Sequence, residues 1–101
     1  MSTQDVVEKK KVTSRSIQPP KKYKVVVCND DVTPIDFVII MLVSIFKHNE
    51  QDAYNLTMTI HNNGSAVAGV YNYEIAEQKA IDGINLARIH GYPLLLKVEE
   101  E

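Results

Sequence analysis

The chain has no tryptophan, a single cysteine, and only four glycines and four prolines in 101 residues. One cysteine, Cys28, rules out an internal disulfide. A fold of this size must then rest on its apolar core, and the expected compartment is the reducing cytoplasm. Four scattered glycines build no phosphate-cradling loop. Long apolar runs are also missing. The stretch around Ile39–Ile45 is bounded by Asp36 and Lys47 and falls far short of the roughly 20 residues a membrane span needs. The N-terminal residues are polar and lack the apolar segment of a secretory leader. Positive charge is scarce where a nucleic-acid binder would need it. Residues 1–21 carry four Lys, one Arg and two acids, for +3, whereas residues 22–101 carry six basic and eleven acidic residues, for −5. An acidic body is a poor surface for a phosphate backbone.

What is present reads as one domain behind an arm. Residues 1–21 show no sustained period and end at Pro19-Pro20, which favours an extended entry. The core domain is expected over 22–101. "YKVVVC" (23–28) is β-branched and reads as a strand. "NDDVT" breaks it, and Thr33, Pro34 and Asp36 suit the cap, first and third positions of a helix reaching about Lys47. A second helix is expected over about 50–61 behind Asn49, with Gly64 as terminator. A strand fits 64–72, with a bulge or close backbone approach at the glycines. Asn72 caps a third helix over 73–90, whose Ala76, Ala80, Gly83, Ile84 and Ala87 allow tight packing on a sheet. "LLLKVE" (94–99) closes the chain as a strand. The order β-α-α-β-α-β predicts an α+β sandwich of two layers, helices on one face of a small sheet.

The residues with chemistry are few. Ser44 lies in an apolar helix without elbow glycines, and Cys28 borders acids that work against a thiolate. His61 with Asp30 or Asp31 could form an acid–base pair but has no nucleophile to serve. The same three match no metal-site spacing. Another chemistry fits better. Asn29, Asp30 and Asp31 present oxygen acceptors at a helix mouth, and an ammonium has three donors seeking them. With Val38, Ile60 and Leu94 beside them, they would suit the free N-terminus of a peptide. From spacing alone, a plain turn, a cap and an ordinary histidine remain the simpler account.

"PPKKYKVVVCNDDVTPIDFVI", His61, "GSAVAGVYNYEIAEQKA" (64–80) and "HGYPLLLKVE" (90–99) together resemble the ClpS family over about 80 of 101 residues. These are the adaptors that deliver N-end-rule substrates to a Clp AAA+ unfoldase. The resemblance implies a three-stranded antiparallel sheet packed with three helices, a mobile N-terminal extension and a monomer without metal or cofactor. It implies binding of a first residue that is Leu, Phe, Tyr or Trp. Asn29, Asp30 and His61 would hold the α-amino group, with Asp31 on the acidic rim. Thr33, Ile35, Val38, Thr57, Ile60 and Leu94 would bound the side-chain pocket. Glu74 and Lys79 match the motif that docks the N-terminal domain of an unfoldase of the ClpA or ClpC type.

Two positions depart from the family pattern. Ile35 and Thr57 both stand where methionine is frequent, which implies an altered ranking among bulky first residues. A docking module that has lost or redirected substrate recognition and acts mainly on the unfoldase is the next reading, and an enzyme using Asp30 and His61 a distant third.

Overall fold

Three consecutive valines hold the middle of the sheet. Val25 and Val27 are fully buried and Val26 nearly so, as expected of a central strand whose β-branched side chains pack on both neighbours. The computed structural model describes residues 19–101. The greater part of the expected N-terminal extension therefore lies outside the described residues. Strand β1 (Tyr23–Cys28) is flanked by β2 (Ser65–Tyr71) and β3 (Leu95–Glu100), both antiparallel to it, in the order β2-β1-β3. Helices α1 (Ile35–Ser44), α2 (Glu50–Asn63) and α3 (Tyr73–Ile89) complete the expected order. The α+β sandwich with a three-stranded antiparallel sheet is the fold.

Most boundaries match the expectation within two residues. Asn49 caps α2 by accepting the Asp52 N–H at 2.8 Å, and Asn72 caps α3 by accepting the Ile75 N–H at 3.0 Å. Gly64 ends α2 in the left-handed region, φ 94°. The exception is α1. Pro34, not Thr33, occupies its cap position, with no side-chain cap, and the helix stops at Ser44 rather than near Lys47. Thr33 is diverted because the Asp30 carboxylate takes both its N–H and its hydroxyl. At the far end, Lys47 adopts a left-handed φ of 64°, which turns the chain out of the helix.

Register gives the sheet two distinct ends. Tyr23 pairs with Tyr71 and Glu100 at one end; Cys28 pairs with Ser65 and Leu95 at the other. A bulge at Ala68 interrupts the β1–β2 ladder, since Val25 faces Gly69 and Val26 faces Val67. Gly69 beside it leaves room for the Tyr71 ring: a Cβ there would sit 2.6 Å from its Cζ. α1 leaves the Cys28 end, and its trailing Phe46 lies 6.5 Å from the Tyr71 ring at the Tyr23 end. α2 returns to Gly64 beside Cys28. α3 starts with Tyr73 edge-on to Tyr23 (5.0 Å, 72°) and leads back to Leu95.

α3 approaches the sheet through small residues. Ala76, Ala80, Gly83 and Ala87 are all buried. A Cβ at Gly83 would lie 2.7 Å from Leu96 Cδ2, and Leu96 is itself buried. Gly83→Val should therefore destabilise the domain by about 1–3 kcal/mol through overpacking, read as a lowered urea midpoint with an unchanged slope.

Candidate functional site

Short polar side chains compete with the backbone for hydrogen bonds, so "NDDVT" folds around its own acid. Asp30 Oδ1 accepts the N–H groups of Val32 (2.8 Å) and Thr33 (2.7 Å), and Oδ2 accepts the Thr33 hydroxyl (2.8 Å). Burial pushes the Asp30 pKa up, but the hydrogen bonds from Thr33 and Val32 outweigh it and hold the carboxyl below its ordinary 3.8. Asp30 is thus a fixed anion at neutral pH. A carboxylate has roughly four acceptor positions, so three local bonds leave room for one further donor.

The turn is anchored to the end of α2. The Asn29 N–H donates to the Gly64 carbonyl at 2.8 Å, and the Gly64 N–H donates to Ile60 at 2.9 Å. His61 stands exposed on the last turn of α2, three residues before Gly64. Leu94 immediately precedes β3, whose first residue pairs with Cys28. Asn29, Asp30, His61 and Leu94 therefore belong to one end of the molecule. Asp31 is exposed beside them.

The expected pocket residues divide into a floor and a mouth. Val38, Thr57, Ile60 and Leu94 are 5%, 2%, 3% and 1% exposed. Thr33 is half-buried, and Ile35 is exposed in the first turn of α1. Thr57 is the buried polar residue of the described core, and its hydroxyl donates back to the Ala53 carbonyl at 2.7 Å. With that donor committed, Thr57 adds little polarity to the floor. Ser44 likewise donates its hydroxyl to Ile40 within α1, at 2.9 Å.

Glu74 and Lys79 lie on α3, which begins at the Tyr23 end, away from the acidic turn. Glu74 is exposed in the first turn. Lys79 is half-buried, and its Nζ donates to the Ile45 carbonyl at 2.9 Å. Sequence reasoning did not find that contact, and a bond across 34 residues leaves no local signal. It also missed an aromatic cluster in which Phe37 lies 5.1 Å from Tyr92 and 5.4 Å from His90. That cluster borders a groove of about 390 Å³ lined by Pro34, Asp36, Ile40 and Leu86 as well. A shallower groove of about 260 Å³ runs along α2 from His48 to Thr59. Neither includes the expected floor residues. Among the described residues, no three His, Cys, Asp or Glu side chains cluster to hold a metal ion, and no helix is long and apolar enough to cross a membrane.

Comparison with known proteins gives the family. Residues 18–97 match the family model described as ATP-dependent Clp protease adaptor protein ClpS. The ClpS of Nautilia profundicola is 46% identical over 100 residues, 99% of either chain. That of Campylobacter jejuni subsp. jejuni serotype O:23/36 is 46% identical over 85 residues, covering 84% of this chain and 88% of the relative. Among solved structures, Agrobacterium tumefaciens ClpS2 bound to L-phenylalaninamide superposes with a TM-score of 0.80 at 41% identity, covering 82% of this chain and all of the other. The family model and the relatives define a protease adaptor, a protein whose part is to bind. The chain belongs to the ClpS family.

Because Asp30 is held below its unfolded pKa, it adds stability above about that value, and the contribution is lost as pH falls through the folded one. Asp30→Asn should therefore flatten the acid limb of a stability–pH profile measured by urea denaturation. An unchanged acid limb would show that the three bonds do not stabilise the anion.

Proposed function

We propose that the chain captures proteins by a free N-terminal residue (Leu, Phe, Tyr or Trp) and delivers them, as a cytoplasmic monomer, to the N-terminal domain of a ClpA- or ClpC-type unfoldase. The observation that carries this is the anchored anion: Asp30 is locked by Val32 and Thr33, and Asn29 is tied to the end of α2 that bears His61. Such acceptors suit a cationic α-amine, because charge-assisted hydrogen bonds are the strong ones and a preset carboxylate needs no reordering. The bulky side chain would then enter past Thr33 and Ile35 onto Val38, Thr57, Ile60 and Leu94. Burial of that side chain contributes about 1.5–3 kcal/mol. Asp31 completes the acidic rim. L-Phenylalaninamide, carried by the Agrobacterium relative, has a free α-amine, an aromatic side chain and an amide in place of the next peptide bond. It is the chemical minimum of an N-terminal phenylalanine. Toward the Tyr23 end of the molecule, exposed Glu74 and half-buried Lys79 would meet the unfoldase.

The test is fluorescence anisotropy with labelled peptides that differ only at residue one. Peptides beginning with Phe, Leu, Tyr or Trp should bind, while those beginning with Gly, and N-acetylated Phe, should not. Asp30→Ala should abolish binding while the fold persists. No binding of any free N-terminus would leave a docking module as the better account.

Thr57 sets the ranking within that group. Its side chain is shorter than methionine and its hydroxyl is tied to Ala53, so the floor should favour aromatic first residues. Thr57→Met should lower the Phe-over-Leu preference by roughly tenfold, the scale of a few methylenes in an apolar pocket. An unchanged ratio would remove Thr57 from the pocket.

A further inference from the structure

The last carbonyls of a helix have no partner within it. Ile45, the residue closing α1, is in that position, and α1 has no basic residue in its last turn. Lys79 on α3 supplies the missing cation. Its Nζ donates to the Ile45 carbonyl at 2.9 Å and lies 5.4 Å from the Tyr71 ring centroid and 6.0 Å from that of Phe46. A helix C-terminus and two aromatic faces each favour a positive charge. A second bond braces the same corner from the sheet: His48 Nε2 lies 2.6 Å from the carbonyl of the bulge residue Ala68. Between them Lys47 holds its left-handed φ of 64°, a conformation a lysine adopts only where its surroundings impose it.

This corner joins the two helices that carry the pocket. α1 brings Ile35 and Val38, with Thr33 just before it; α2 brings Thr57, Ile60 and His61. The two form a hairpin whose open end holds the candidate substrate site and whose closed end is pinned by Lys79. We propose that Lys79 is a positioning residue for substrate selection: by holding the α1–α2 corner it sets the width of the first-residue pocket at the opposite end. The inference rests on the N-terminal-residue reading above. It is compatible with docking, since an ammonium has three N–H donors and Ile45 takes one.

Peptide binding by the isolated protein, with no unfoldase present, separates this role from docking. Lys79→Met keeps the apolar stem and removes the charge; Lys79→Arg keeps a cation and donors; Lys79→Gln replaces the Met variant should that one not fold. Asn72→Ala, which loses the α3 cap, serves as a control for general destabilisation. Lys79→Met should bind a Phe-first peptide about threefold to tenfold more weakly. Its Phe-over-Val preference should also narrow, because a loosened corner widens the pocket. Lys79→Arg should stay near wild type in both, and Asn72→Ala should melt earlier with affinity and preference intact. Wild-type affinity and preference in Lys79→Met overturn the inference alone, as does an Asn72→Ala that copies Lys79→Met. A wild-type protein that binds none of the peptides removes the underlying reading, and the inference with it.

Discussion

The backbone bond from Asn29 to the Gly64 carbonyl is the joint on which the rest of the arrangement depends. It ties the residue after β1 to the residue that ends α2. Gly64 can accept there because its left-handed φ of 94° turns the chain directly from helix into β2. A side chain at that φ would be strained, although open space surrounds the position. Register then does the rest. Cys28 must pair with Ser65 and Leu95, so the acidic turn, the end of α2 and the entry to β3 meet at one end of the sheet. No long loop is needed to bring these segments together: Asn29, Asp30, His61 and Leu94 each lie in a regular element or within two residues of one.

At Asp30 the local demand of the turn coincides with the role proposed for it. Its three hydrogen bonds shape the turn that launches α1, and the same bonds keep it anionic. A carboxylate left to solvent would have to order itself on meeting an amine. This one is ordered beforehand by Val32 and Thr33. Desolvation opposes the charge, but the three hydrogen bonds together outweigh it, so the turn supports a standing negative charge.

Much of the fold was legible in the sequence. β-Branched runs, Asn49, Asn72 and Gly64 marked the elements because caps and strand propensities act within a few residues. The family resemblance supplied the antiparallel pairing and the site assignments, which composition and spacing had left open. The start of α1 was misread because Thr33 has two suitors, and sequence pattern does not say that Asp30 outcompetes the helix end. Its stop at Ser44 was misread because the apolar pattern runs on through Ile45 and Phe46 while the left-handed Lys47 carries no marker such as glycine. The Lys79–Ile45 contact had no local trace at all, being a product of packing.

That contact changes how the two ends of the molecule relate. α1, α2 and α3 each run the length of the sheet, so whatever fixes a helix at the Tyr23 end constrains it at the Cys28 end. A helix of ten residues is about 15 Å long and stiff, and interiors packed at crystal density do not absorb a shift gradually. The fully packed face of α3 is built of alanines and Gly83, which bring its backbone close to the sheet. Lys79 extends from that helix to the vertex of α1 and α2, the two helices that would admit a ligand under the proposed function. A site between α1 and α2 alone would vary with their splay. Anchoring their corner to α3 would make its width a property of the whole domain.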